Sequence, residues 1–199
     1  MAGSVGADTI KYAGNKPFCT SATVRTGDNT HSAGAKRAIV GCNFKMTNTL
    51  DISFEIFDGG DLIRLEPIQT KDDTSQLDWD RNWVRTKVTV KGGVFSGHYV
   101  ADFMTTDFEL LKRDFKNLDK NFKGTAKLEP LEGQLILNII GDGLGHFNVK
   151  CTAIDQPNYG GTLSFNLSFD QTELARLINE LDRITKAFPI KGNFKIKNE

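Results

Sequence analysis

From Thr49 onward, apolar and polar residues alternate in short runs, the period of a strand buried on one face. Ile52, Phe54 and Ile56 alternate ahead of the turn DGG, and a second short strand is predicted over Leu62 to Glu66. The polar loop KDDTSQLDWDRN comes next. Val84, Val88 and Val90 then mark one face of a strand, Lys91, Gly92 and Gly93 supply a turn, and Tyr99, Ala101 and Phe103 mark the returning strand of a hairpin. The pattern continues with a strand near Thr125 to Glu129, then QLILNII, the turn GDGLG, and HFNVKCTAI. Past the loop DQPNYGG, Leu163, Phe165, Leu167 and Phe169 alternate with Thr162, Ser164, Asn166 and Ser168, the cleanest half-buried strand in the chain.

Twice the period changes from two to about 3.6, the mark of a helix with one apolar stripe. In VADFMTTDFELLKRDFKNL, Thr106 or Asp107 is the expected N-cap, with Glu109 completing a capping box from Thr106. Phe108, Leu111, Phe115, Leu118 and Phe122 form the stripe, and Gly124 ends the helix at or shortly before that point. In LSFNLSFDQTELARLINEL, Asp170 is the expected cap and Glu173 holds the capping-box position. Leu174, Leu177, Ile178, Leu181, Ile184 and Phe188 form the second stripe, and Pro189 ends it. Aligned on this joint, Tyr99, Ala101 and Phe103 match Leu163, Phe165 and Leu167, while Asp107, Leu111 and Leu118 match Asp170, Leu174 and Leu181, with a slip of one residue between strand and helix. The expected class is α+β: mostly antiparallel sheet in two similar strand-rich units, about 49–123 and 124–192, each closed by an amphipathic helix. Each sheet is expected to turn one face to its own helix, with Leu111 and Leu174 pointing into the packing.

Charge changes this picture at one place. The chain sums to zero, but residues 1–45 carry Lys11, Lys16, Arg25, Lys36, Arg37 and Lys45 against Asp8 and Asp28, about +4, so the rest carries about −4. Those 45 residues are also rich in Gly, Ser, Thr and Ala. They read as an appended arm with a candidate hairpin, TSATVRT against KRAIVGC, ahead of a domain over 46–199. The 39% hydrophobic content fits a globular chain. The longest mostly apolar run, Leu135 to Ile140, is broken at Asn138, so no membrane span is expected. MAGSVGADTIKY offers no apolar leader, and a cytoplasmic location is the expectation. Cys151 alternates with Phe147, Val149 and Ala153 and reads as a core thiol, whereas Cys19 and Cys42 flank the arm's hairpin, where pairing stays open.

Candidate chemistry is sparse. His31 lies in a presumed loop tip, His98 begins a strand, and His146 follows GDGLG, none with a partner motif. GDGLG is followed by a strand rather than a helix, so it reads as a hairpin turn and not a phosphate cradle. Glu129 and Glu132 are near in sequence without forming a recognisable acid and base pair. No enzyme activity, metal or cofactor is expected, and nucleic-acid binding is disfavoured because the larger segment is net acidic without a basic stripe. What remains is the loop Lys71 to Trp83, which gathers Asp72, Asp73, Asp78 and Asp80 around Trp79. An indole among carboxylates suits a basic partner, the ring as anchor and the charges as steering groups. The alternative is a solvated loop with Trp79 folded onto the core.

Through this loop to the C-terminus the chain resembles the WapI-like bacterial immunity proteins. The resemblance rests on LDWDRNWVRTKVTVKGGVFSGHYVADF, on ELLKRDFKNL, on GTAKLEPLEGQLILNIIGDGLGHFNVKCTAID, and on LSFNLSFDQTELARLINEL with its closing FPIKG. It covers roughly Thr49 to Gly192 and leaves residues 1–45 unmatched. It implies a protein without catalysis of its own that neutralises a cognate toxin by binding it. A structural or assembly module, with association directed by the N-terminal arm, is the alternative.

Overall fold

The alternating runs become eight strands in a computed structural model of the chain, which describes residues 52–72 and 74–193. β1 (Phe54–Asp58), β2 (Asp61–Thr70), β3 (Trp83–Gly92) and β4 (Phe95–Met104) form one antiparallel sheet in that order. β5 (Lys123–Leu128), β6 (Leu135–Asp142), β7 (His146–Ile154) and β8 (Thr162–Asp170) form a second. α1 (Thr105–Asn121) follows β4 directly, and α2 (Leu174–Ala187) follows β8 through a 3-10 turn at Gln171–Glu173. The class is α+β. The arm, with Cys19, Cys42, His31 and the Lys36-Arg37 pair, lies outside the described residues.

β2 runs past Glu66 to Thr70 because Pro67 does not stop it. The register against β3 shifts between Pro67 and Gln69, and at such an irregularity a residue without an N–H is tolerated. GDGLG is the turn between β6 and β7. The Asp142 carboxylate accepts the N–H groups of Leu144 at 2.6 Å and His146 at 3.2 Å, and Gly143 N–H donates to Phe122 O at 2.9 Å.

Both helix starts differ from expectation. α1 begins at Thr105 rather than beyond Thr106, and its box closes backwards: Met104, still extended, donates its N–H to Asp107 Oδ2 at 2.8 Å. Glu109 pairs with Lys112 instead, 2.7 Å away. Asp170 caps the 3-10 turn by accepting Thr172 N–H at 2.9 Å, while Glu173 is held by Arg176. Matched by burial, that 3-10 turn takes the place of the first turn of α1, and no slip remains between strand and helix. By burial, Ala101 and Phe103 correspond to Leu167 and Phe169, and Leu111, Phe115 and Leu118 to Leu177, Leu181 and Ile184, at one constant separation.

The helices also reach beyond their own sheets. α1 packs along β5 and against α2, and α2 packs against β1, so one core unites everything. Leu111 and Leu174 are both fully buried in it. Its spine is aromatic: Phe54 of β1 meets Phe115 of α1 edge-on at 5.8 Å, Phe115 stacks on Phe169 of β8 at 6.1 Å, and Phe169 stacks on Phe147 of β7 at 4.9 Å. Phe122, left-handed at the end of α1, meets Phe147 at 6.4 Å. Gly141 allows this approach, since a Cβ there would lie 2.2 Å from Phe122 O. Cys151 is buried in the same core, and burial pushes its thiol up to about 12, the environment of an inert thiol.

Side chains cover the outer edges of β1 and β8. On the outer edge of β1, Glu55 N–H donates to Glu180 of α2 at 3.0 Å, and Arg176 reaches Glu55 O at 3.1 Å while holding Glu180 at 2.7 Å. Asp58 Oδ2 accepts both the N–H and the hydroxyl of Ser168 on β8, each at 2.9 Å.

Asp107 yields a pH prediction. Burial pushes its carboxyl up to about 6, and the Met104 N–H offsets only part of that. Because the folded value exceeds the unfolded one of about 3.9, the folded state binds the proton more tightly. Stability from this group is complete below about pH 4 and is lost as pH rises through about 6. Asp107→Asn, which keeps an acceptor for Met104, should therefore stabilise the fold by about 1–2 kcal/mol at pH 7, discounted for partial exposure, and by nothing at pH 4. Urea titrations at both pH values check this; an equal effect at the two would refute it.

Candidate functional site

The loop joining β2 to β3 is tied at its base. Lys71 N–H donates to Trp83 O at 2.8 Å, and Lys71 Nζ lies 2.7 Å from Asp102 Oδ2 and 5.9 Å from the centre of the Trp83 ring. Asp72 closes a local turn by accepting from the N–H and hydroxyl of Thr74, both at 2.9 Å, and from Ser75 N–H at 3.1 Å. Those bonds hold its carboxyl below the usual range, the Thr74 hydroxyl contributing most. Asp80 opens a 3-10 turn, Asp80–Asn82, and accepts the Ser75 hydroxyl at 3.1 Å.

Asp78 faces the C-terminal segment. It accepts Asn193 N–H at 2.9 Å and pairs with Arg81, and these partners, the Asn193 N–H first, lower its pKa. Gly192 is needed for this seat: its φ is +74°, and a Cβ there would lie 2.1 Å from the Asp78 carboxylate. Asp73 lies outside the described residues. Trp79 meets Trp83 edge-on at 6.3 Å and remains 44% exposed, beside Leu77, which is 64% exposed. The loop therefore presents apolar surface, while Asp72, Asp78 and Asp80 each hold part of its shape.

Asn82, which nothing in the sequence singles out, is the fully buried polar residue among the loop's described residues. Its amide donates to Asp78 O at 2.6 Å and Lys191 O at 2.9 Å, and its oxygen accepts from the Thr105 hydroxyl at 2.8 Å and Lys191 N–H at 2.9 Å. It thus joins the loop, the start of α1 and the chain after α2. The only signal in the sequence was its place ahead of the strand residue Trp83, which does not announce burial.

His98 and His146 stand on different sheets. His98 Nδ1 is 3.2 Å from Thr89 Oγ1 within the first sheet, whereas His146 begins β7 in the second, near Asp142 and Asp170. Glu129 pairs with Lys127, and Glu132 is exposed. Among the described residues, no cluster of His, Cys, Asp and Glu is arranged to hold a metal ion, and no helix is long and apolar enough to cross a membrane.

An α+β domain of two four-stranded sheets and two helices, with an apolar-crowned loop, defines a class of architecture. Within it, the chain belongs to the Immunity protein WapI-like family, which it matches over residues 53–189. No curated protein matches the chain. Among solved structures, it is similar to the trypanosome MRP1/MRP2 proteins at 13% identity and a TM-score of 0.42, covering 70% of this chain and 86% of that one. A guide-RNA-binding protein complex shares 13% identity at 0.41, with 69% and 92% covered. The plant transcriptional regulator PBF-2 shares 15% at 0.40, with 69% and 81% covered.

Proposed function

We propose that the protein neutralises a cognate bacterial toxin in the cytoplasm by forming a protein–protein complex with it, without catalysis of its own. The family match over residues 53–189 carries this reading. The loop from Lys71 to Trp83 is the proposed contact. Trp79 and Leu77 supply exposed apolar area, and Asp72, Asp73, Asp78 and Asp80 supply a negative field that suits a basic toxin. Residues 46–199 form the toxin-binding domain, and residues 1–45 are an arm that the complex does not need.

The test is complex formation with the toxin, followed by binding kinetics at two salt concentrations. Trp79→Ala should speed dissociation and cost about 2 kcal/mol of affinity, because a partly exposed indole is a typical hot-spot anchor. Asp72→Asn and Asp73→Asn together should slow association and flatten its salt dependence. Unchanged rates for both variants would move the contact elsewhere, and absence of any complex would overturn the function. Deleting residues 1–45 should leave affinity and stoichiometry of the complex unaltered; loss of self-association on deletion would favour an assembly role.

A further inference from the structure

Where the two sheets meet at the end remote from that loop, the first residues of β4 and β8 border an open cleft of about 370 Å³. That lies within the roughly 300 to 1,000 Å³ usual for binding clefts. The cleft is amphipathic. Val90, Tyr99, Ala153 and Leu163 line it with apolar surface, and Tyr99 is fixed by its hydroxyl, which donates to Gln134 O at 2.6 Å. Phe95, His98 and Asp155 also line it. Phe95 is 67% exposed, and its neighbour Val94, at the tip of the β3–β4 hairpin, is 92% exposed.

The Asp155 carboxylate has no hydrogen-bond or ion-pair partner among the described residues, yet its loop is shaped around it. Asp155 N–H donates to Gly161 O at 3.3 Å, and Gly160 N–H to Gln156 O at 3.0 Å. At Gly160 a Cβ would lie 2.2 Å from Asp155 Oδ1 and 2.4 Å from Gln156 N, so the loop closes on this carboxylate only with glycine there. An unpaired anion that shares a cleft with an exposed aromatic ring and an apolar floor complements a long cationic side chain. The floor takes its methylene stem, the carboxylate takes its head, and the ring takes the cation's face.

We infer that this cleft receives an arginine side chain of the toxin, an inference that rests on the neutralisation reading above. Arginine fits better than lysine because a planar guanidinium can pair with the carboxylate through two N–H groups while stacking on Phe95. The ten residues of β3, at about 3.3 Å each, set this site roughly 30 Å from the acidic loop, so the two contacts can be tested separately.

The experiment has two arms. In the first, the full chain is titrated with N-acetyl-arginine amide and, in parallel, N-acetyl-glutamate amide, with backbone amide shifts recorded. The arginine probe should give saturating shifts centred on residues 95–99, 153–155 and 161–163, lost in Asp155→Asn, and the glutamate probe should not. Scattered shifts, or equal shifts from both probes, would overturn the inference. In the second arm, Asp155→Asn should weaken the toxin complex about thirtyfold or more and Phe95→Ala about tenfold, with melting temperatures unchanged. A complex indifferent to Asp155→Asn would overturn the inference while leaving neutralisation intact. Localised arginine shifts in a protein that binds no toxin would support the cleft's chemistry and refute the toxin as its source.

Discussion

Replacing Phe115 by alanine should cost about 3–5 kcal/mol, the upper range for a buried aromatic, and should do so in one cooperative transition. Phe115 is completely buried on α1 and touches a ring from each sheet, Phe54 on one side and Phe169 on the other. Its loss would leave a cavity bounded by β1, β8 and the helix itself, and none of these can collapse inward without disturbing its own sheet. A domain of this size holds about 5–15 kcal/mol in total, so the variant should approach the threshold of unfolding at physiological temperature. Urea denaturation followed by both tryptophan fluorescence and far-ultraviolet circular dichroism is the measurement. Two separated transitions, only one of them moved by the substitution, would show two independently stable halves and contradict the single core.

The elements were readable from the sequence because each depends on neighbours two to four residues apart. Val84, Val88 and Val90 lie on one face of β3, and Phe108, Leu111, Phe115 and Leu118 are buried together on α1, as their periods require. The partnerships of those faces were not readable. Nothing local says that α2 will cover β1, because that contact depends on Glu180 meeting the Glu55 N–H across 125 residues of chain. Caps were misplaced for a related reason. Thr106 and Asp107 both suit an N-cap, yet Met104 is the last extended residue, and only its pairing with Trp83 across the sheet fixes that.

The site divides along the same line. Composition picks out the loop, since Trp79 and the aspartates are consecutive or nearly so, but not the exposure of its indole. What each carboxylate does was hidden, because Asp78 turns toward Asn193 and Gly192 at the far end of the domain. The cleft at Asp155 was hidden more completely, being assembled from β3, β4, β7 and the start of β8. In the sequence, DQPNYGG shows only a glycine-rich loop. The reason for Gly160 emerges from a would-be contact with a side chain five residues earlier.

Asn82→Asp should destabilise the protein more than Asn82→Ala at pH 7, although it is the smaller change in shape. In the native protein the Asn82 amide donates to two backbone carbonyls while its oxygen accepts from a hydroxyl and an N–H, with the side chain sealed from solvent. Alanine leaves those groups unsatisfied, each costing about 1–3 kcal/mol where water cannot reach, for a net loss on the order of 3 kcal/mol. Aspartate keeps both acceptor bonds but turns an anionic oxygen toward Asp78 O and Lys191 O and buries a charge with no cation directly bound to it. Burial and the facing carbonyls raise the folded pKa of the new carboxyl above its unfolded value of about 3.9. Its penalty is therefore greatest above that folded value and fades as pH falls, when the proton restores one donor. The order of the two variants should then reverse, or the gap close, near pH 4. Hydrogen exchange should place the damage, with protection falling first at residues 78–82 and 190–193 in both variants, because Asn82 bonds to Asp78, Thr105 and Lys191 together. An aspartate variant as stable as the native protein at pH 7, or a gap independent of pH, would mean that water enters this junction and that Asn82 does not hold the loop to the C-terminal segment.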